Sequence, residues 1–329
     1  MTESSRRLRA VVALLGTAAI WGATFVMVKD AVSRYPLYAF LTLRFVIAVI
    51  AFAVLFPRAV RRLETQTVRV GVLAGAFLCA GYVFQTWGLQ DTTASKAAFI
   101  TGMFVVITPI MQAVVLRSVP RAATLAGVVL AVVGLWMLSG ASANGWTQGD
   151  TRVFMCAVAY AAHMIVLGSV GRDHDPVSLT FVQLSVVAVV CGAISFATEP
   201  IALPNEGSVW IALGVTGVLA SAVAFGAQTW AQRHISPTKT ALVLIMEPVF
   251  GGLFGWWAGD VFGVGGLVGS ALIVGGMVLS ELRALAPQRD ERVVVANAPE
   301  GPPVPLLESE GGGTSATPTG RPPSGSDPA

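Results

Sequence analysis

Long apolar runs constrain this chain more than any other feature. A bilayer core is about 30 Å thick, so a helix needs about 20 mostly apolar residues to cross it. A crossing segment must also satisfy its own backbone hydrogen bonds, which favours helices. We therefore predict an all-α integral membrane protein with ten transmembrane helices, at about 10–28, 37–56, 70–89, 97–116, 122–139, 153–170, 177–197, 209–230, 240–258 and 261–280.

The composition supports a lipid environment. Charged residues make up 12% of the 329 residues and hydrophobic residues 54%, whereas soluble domains are about 25% charged. Too few polar side chains remain to cover a water-exposed surface, so we expect the lipid bilayer to surround the chain. No basic cluster interleaved with aromatic residues is present, and we expect no nucleic-acid partner.

Cysteine and histidine spacing predicts neither a cofactor nor a metal site. Cys79, Cys156 and Cys191 lie in separate apolar runs, and no CxxC or Cys/His ligand spacing occurs. We interpret the three cysteines as small buried hydrophobic residues.

The arginines define an orientation. The first apolar run follows three arginines, as in a signal peptide, but it is long enough to span and no clear cleavage site ends it, so we favour an uncleaved helix. With a cytoplasmic N-terminus at 1–9, fifteen Lys and Arg residues fall on the cytoplasmic side and four on the other. This bias predicts a multi-pass protein of the cell membrane with both termini cytoplasmic. The Pro-, Gly- and Ser-rich tail at 285–329 is expected to be a disordered cytoplasmic segment.

Short motifs recur in the two halves. Gln85-Thr86-Trp87 returns 143 positions later as Gln228-Thr229-Trp230, and Lys96 returns as Lys239 at the same spacing. Gly127, Leu130 and Gly134 match Gly269, Leu272 and Gly276 at a spacing of 142. Each half holds five predicted helices, an odd number, so the second copy enters the membrane from the opposite side. We predict two inverted five-helix repeats, at 10–140 and 150–282, as in many secondary transporters.

Glu247 is the sharpest candidate for a functional residue. It lies near the middle of the ninth predicted helix, directly before Pro248, and proline disfavours helix at the residue before it. Intramembrane carboxyls are costly and usually face a cavity or a partner. We predict that Glu247 binds substrate or a proton, with a structural carboxyl bonded to a neighbouring helix as the alternative.

Other polar residues at membrane depth are weaker candidates. Arg44 could contact an anionic substrate, pair with Glu247 or form a packing ion pair. His163 could relay protons or simply hydrogen-bond between helices. Gln85 and Gln228 could line a central cavity as a symmetric pair. Trp21 lies deeper in its helix than an interfacial aromatic belt would require.

An ordered series of motifs resembles the EamA-type ten-helix exporters of the drug/metabolite transporter superfamily. The matching stretches are Trp21-Gly22-Ala23-Thr24-Phe25, Arg44-Phe45, Ala97 to Gly102 through Pro109, Gly149-Asp150 and Glu247-Pro248-Val249. The resemblance implies two EamA repeats around a central cavity, with the fourth and ninth helices close to the axis. That would place Pro109 as well as Glu247 near the transport path. It also implies export of metabolites, amino acids or toxic compounds from bacteria without ATP.

Other classes of function fit less well. An enzyme would need a nucleophile with its base, and no GxSxG, HExxH or intramembrane aspartate pair occurs. A primary pump would need a nucleotide site, and no Walker A sequence is present. An uncoupled channel or facilitator for small solutes remains the alternative to a secondary transporter. Proton coupling is a hypothesis that rests on Glu247, and the cargo and oligomeric state stay open.

Overall fold

A computed structural model describes residues 3–92, 94–139, 146–200, 202–257 and 263–282. Within these ranges the regular secondary structure is entirely helical. The tail at 285–329, predicted to be disordered, lies outside the described residues.

The helices of the first half follow the predicted apolar runs closely. The fourth predicted run is divided into two helices, α5 and α6. The elements are α1 (Glu3–Arg34), α2 (Leu37–Leu55), the short α3 (Pro57–Arg61), α4 (Thr65–Gly88), α5 (Ala94–Gly102), α6 (Phe104–Val115) and α7 (Ala122–Ser139).

The second half is more irregular. Its eighth predicted run contains a π-helical segment, Thr216–Val223, between two α-helices, and its ninth run is interrupted. The α-helices are α8 (Gln148–Gly168), α9 (Pro176–Thr198), α10 (Gly207–Val215), α11 (Ala224–Ala231), α12 (Pro237–Leu244), α13 (Glu247–Trp257) and α14 (Val264–Leu282).

Helix length bears directly on the number of membrane crossings. Among the described residues, six helical stretches are long and apolar enough to cross, or seven if the bent α1 is one span. The apolar parts of α7 and α14, Ala122–Leu138 and Val264–Ser280, are shorter than this limit, and α12 and α13 hold only 8 and 11 residues. All ten predicted runs contain helix, but the count of ten crossings stays a prediction.

The two halves pack against each other in reciprocal pairs. Helix α1 packs on α11 and α13, while α8, the first helix of the second half, packs on α4 and α6. Helices α2 and α9 pack together, as do α7 and α14. Because most of these contacts join one half to the other, the interior of the protein is shared between them.

Glycines set the closest contact, between α7 and α14. A Cβ added to Gly127 would lie 2.5 Å from the Gly276 carbonyl oxygen, and one added to Gly134 would lie 2.5 Å from that of Gly269. Small residues let helix backbones approach in lipid. The recurring glycines of the two halves therefore meet each other, crosswise.

Two of the helical stretches break at matching positions. Met103 separates α5 from α6, and Ile245-Met246 separates α12 from α13. Met103 and Met246 are 143 residues apart, the spacing of the Gln-Thr-Trp motif. The second break directly precedes Glu247-Pro248, close to where proline disfavours helix, although Glu247 itself begins α13. The first break lies six residues before Pro109, so that proline is not adjacent to it.

Candidate functional site

A small cavity lies between the two halves of the described protein. Its volume is about 60 Å³. Its walls come from α1, α4, α5, α6, α8, α11 and α13, and its lining residues are Trp21, Tyr82, Gln85, Thr101, Phe104, Tyr160, His163, Met164, Phe225, Gln228 and Glu247. Five predicted site residues are therefore brought together: Trp21, Gln85, His163, Gln228 and Glu247.

Equivalent positions of the two halves face each other across this cavity. The pairs Tyr82 and Phe225, Gln85 and Gln228, and Phe104 and Glu247 are each separated by 143 residues. The first pair is aromatic in both halves and the second is an amide in both. The third pair sets a phenyl ring against a carboxylate, so the cavity is symmetric in position but not in charge.

Glu247 begins α13 and faces the cavity. Its backbone is held against α1, because a Cβ added to Gly22 would lie 2.6 Å from the Glu247 carbonyl oxygen and 2.7 Å from the amide nitrogen of Gly251. Its carboxylate forms no hydrogen bond or ion pair with any other described residue. The close packing at Gly22 thus holds the backbone that carries the carboxylate.

Gln228 also presents an unsatisfied acceptor. The Met164 carbonyl accepts from Gln232 Nε2 at 2.8 Å, which leaves Gln232 Oε1 to accept from Gln228 Nε2 at 3.2 Å. This chain fixes the orientation of both amides. Gln228 is 1% exposed, and its Oε1 has no partner.

The matching amide in the first half is paired at both ends. Gln85 Oε1 accepts from the Tyr160 hydroxyl at 3.4 Å, and Gln85 Nε2 donates to Thr101 Oγ1 at 3.4 Å. Glu247 and Gln228, whose carboxylate and Oε1 have no partner among the described residues, both belong to the second half.

His163 is tied into a buried network. Its Nε2 lies 2.7 Å from Gln183 Oε1, and Gln183 Nε2 donates to Thr229 Oγ1 at 2.9 Å. With the amide in this orientation, the imidazole Nε2 is the donor. The network links α8, α9 and α11, which matches the predicted alternative of a hydrogen bond between helices.

Arg44 does not line the cavity. It donates from Nε to Ser221 Oγ at 2.8 Å and from Nη2 to the Tyr82 hydroxyl at 3.1 Å. Its guanidinium carbon lies 5.0 Å from the centroid of the Tyr82 ring, a cation–π distance. Arg44 and Glu247 both lie within the described part of the chain, and no ion pair joins them. Arg44 instead supports the cavity wall from behind.

Aromatic rings form much of that wall. Trp21 and Phe225 have centroids 5.2 Å apart, and Tyr82 and Phe225 6.1 Å. The Trp21 indole donates to the Ala220 carbonyl, at 2.8 Å, inside the π-helical segment. The predicted regular helix at 209–230 is therefore wound differently where it meets Trp21, and π-helical turns often occur at functional sites.

Sequence reasoning missed several lining residues and included three that lie elsewhere, of which Arg44 is described above. Pro109 is buried in α6 and Pro248 follows Glu247, but neither lines the cavity. Tyr82, Phe104 and Phe225 were missed, although the 143-residue spacing relates all three to other lining residues. The sequence spacing does not relate Tyr160 to another lining residue in this way. No group of three His, Cys, Asp or Glu residues able to hold a metal ion occurs within the described part of the chain.

Two surface depressions flank the cavity at opposite ends of α1. One, of about 910 Å³, is lined by Arg6, Arg172, Arg233, His234 and Trp230 among others. The other, of about 470 Å³, is lined by Arg34, Tyr38, Trp87 and Glu199 among others. Neither shares a lining residue with the central cavity.

Comparisons with known proteins agree with this architecture. Residues 8–140 and 147–282 each match the model of the EamA-like transporter family. A crystal structure with 20% sequence identity superposes with a TM-score of 0.72, covering 87% of this chain and all of the other, which shows a shared fold.

Curated relatives are named as transporters. A protein of Archaeoglobus fulgidus named an uncharacterized transporter is 33% identical over 252 residues, 77% of this chain and 79% of the relative. A probable terminal-alkyne amino-acid exporter of Streptantibioticus cattleyicolor is 26% identical, covering 86% and 96%. The S-adenosylmethionine/S-adenosylhomocysteine transporter of Chlamydia muridarum is 26% identical, covering 73% and 80%.

Proposed function

The chain belongs to the EamA-like transporter family, and from that premise we propose that it is a secondary transporter that exports a small organic molecule by alternating access. It is a multi-pass membrane protein of a transporter family. The observation that carries the proposal is the small cavity between the halves, lined by matching positions from each and holding one carboxylate without a partner among the described residues.

Two contacts support an inverted repeat. Gly127 and Gly134 correspond to Gly269 and Gly276, yet Gly127 meets Gly276 and Gly134 meets Gly269. This crosswise pattern is what a two-fold relation between antiparallel helices produces. The repeated tryptophans Trp87 and Trp230 also line depressions at opposite ends of α1, as inverted copies would.

The separation of the cavity from both depressions favours a carrier over an open channel. A channel needs a continuous path, whereas alternating access opens a central site to one side at a time. A cavity of about 60 Å³ holds only a small group, so a substrate must enter through a more open conformation. The chain breaks at Met103 and at Ile245-Met246 give both halves a place to bend.

We place both termini in the cytoplasm. The depression lined by Arg6, Arg172 and Arg233 then faces the cytoplasm, in line with the preference of basic residues for that side. The depression near Glu199 and Arg34 faces outward.

Proton coupling is proposed to depend on Glu247. A carboxyl in a closed intramembrane cavity can hold a proton or a cationic partner, and such residues mark ion pathways in transporters. His163 is a secondary candidate, because Gln183 already occupies its Nε2.

The test uses the full chain in proteoliposomes. A panel of amino acids, other metabolites and drug-like compounds should reveal a solute whose uptake saturates and is accelerated by the same solute inside. Flux that rises linearly and shows no such exchange would indicate a channel. With a solute found, Glu247→Gln should abolish accumulation driven by a pH gradient, while Glu206→Gln, which removes a carboxyl far from the cavity, should not. Intact pH-driven transport in Glu247→Gln would contradict the coupling role.

A further inference from the structure

The two halves offer different hydrogen-bonding groups to a ligand in the central cavity. In the first half, Phe104 offers no polar group and both ends of the Gln85 amide are paired. In the second half, the matching residues are Glu247, which has no partner among the described residues, and Gln228, whose Oε1 has none. The two side-chain acceptors that we identify on the wall without a partner among the described residues, the Glu247 carboxylate and Gln228 Oε1, both lie in the second half.

A buried acceptor without a donor is costly, and the cost is greater for a charged group than for a neutral one. The Gln228 amide cannot relieve this by rotating, because Gln232 is fixed by the Met164 carbonyl and must accept from Gln228 Nε2. A ligand with N–H or O–H donors directed at Glu247 and Gln228 would satisfy both acceptors.

The charges of the lining residues further restrict the class of ligand that the cavity can bind. The residues lining the cavity include no lysine or arginine, and Glu247 is its one acidic residue. Arg44 lies behind the Tyr82 ring, with donors directed at Ser221 and Tyr82. An anionic group would meet the Glu247 carboxylate with no cationic side chain on the wall to offset it.

The remaining walls suit a cation as well. Trp21, Tyr82 and Phe225 form a contiguous aromatic cluster beside the two acceptors. Aromatic ring faces attract ammonium groups at distances up to about 6 Å. The cavity volume of about 60 Å³ accommodates a small polar head, with the rest of a solute held in a more open state.

We propose that the cavity recognises a primary ammonium group, which donates hydrogen bonds to the Glu247 carboxylate and to Gln228 Oε1 and lies against the faces of the aromatic cluster. This assignment rests on the proposed transport function and names the chemical class of its substrate. Because Phe104 occupies the position that matches Glu247, only the second half supplies a charged group to the cavity, whereas both halves supply its apolar walls.

The test is calorimetric titration of the full chain in detergent with three ligands that share a phenyl ring and a two-carbon spacer: phenylethylamine, phenylethanol and phenylpropanoate. At neutral pH these carry an ammonium, a hydroxyl and a carboxylate. We expect the amine to bind at least about tenfold more tightly than either of the others, since hydrogen bonds between charged groups are roughly twice as strong as neutral ones. Glu247→Gln and Gln228→Met should each reduce that preference, and Glu206→Gln should preserve it.

Equal affinities, a preference for the alcohol or the carboxylate, or no binding of the amine would overturn the proposal. The comparison of the three ligands on the wild-type protein tests the proposal even if a cavity variant fails to fold. Glu247→Asp, which keeps the charge, should retain the preference for the amine. If the wild-type protein fails this test but still carries another solute saturably in proteoliposomes, the transport function stands and only the ammonium assignment falls. If no solute is carried saturably, the transport function itself fails.

Discussion

Gly134 of α7 and Gly269 of α14 lie in direct backbone contact, each in the space that the other's Cβ would occupy. Both are repeated glycines, one from each half of the sequence. The contact joins the last helices of the two halves and leaves no room for a larger residue at either position.

Gly269→Ala should therefore destabilise the protein. The added methyl group would meet the Gly134 carbonyl oxygen and the amide nitrogen of Leu138, and overpacking of this kind typically costs about 1–3 kcal/mol. The melting temperature in detergent should fall. Gly275→Ala is the matched control in the same helix, because a Cβ there meets nothing within 4 Å; it should leave the melting temperature unchanged or slightly raised, since alanine favours helix.

Arg44 is expected to stabilise the cavity wall. Arg44→Gln removes the charged donor to Ser221 and Tyr82, and we expect a loss of about 1–3 kcal/mol together with weaker ligand binding through displacement of Tyr82. Arg34 is exposed and pairs with Asp30 and Glu206, and exposed pairs contribute little. Arg34→Gln should therefore barely change the melting temperature. Similar losses for the two variants would show that Arg44 has no special role in the wall.

Thiol labelling should report the orientation of the chain. Cys79, Cys156 and Cys191 are buried, so a membrane-impermeant maleimide should label the native protein only after denaturation. A cysteine at Glu206 should then react from outside the cell, and one at Arg233 only from the cytoplasmic side. Labelling of both from one side would contradict the proposed topology.

His234 offers a pH-dependent signal outside the membrane. Burial lowers its pKa below the ordinary value, and the nearby guanidinium groups of Arg233, Arg6 and Arg172 lower it further. The imidazole should therefore become protonated at a lower pH than a free histidine, whose pKa is about 6.5. NMR titration of labelled histidine, assigned with His234→Gln, measures this midpoint.

Arg233→Gln should raise the His234 midpoint, because Arg233 lowers the pKa of His234 more than Arg6 or Arg172 does. Arg58→Gln, which removes an arginine from α3, should leave it unchanged. Identical midpoints in the wild type and Arg233→Gln would show that the arginines of this depression do not act on His234.

Most of the helices could be predicted from the sequence because run length and polarity are local properties. The predicted runs at 37–56 and 122–139 match α2 and α7 nearly residue for residue. A helix break near Pro248 was also predictable, since proline disfavours helix at its preceding residue, although the break lies at Ile245-Met246 and Glu247 itself is helical. The π-helical segment at Thr216–Val223 was not, because the run there reads as an ordinary apolar helix and the Trp21 indole that bonds to it is nearly two hundred residues away.

The sequence alone determined that the chain needs a bilayer, that its halves repeat, and that a single carboxylate stands at the ninth run. These follow from composition, spacing and the cost of a charge in lipid. Only the tertiary structure decided that the Glu247 carboxylate and Gln228 Oε1 lack partners among the described residues of one cavity wall, while Arg44 lies behind Tyr82. Side-chain pairing depends on which helices pack together and on how each amide is oriented by its neighbours, and no local pattern encodes that choice.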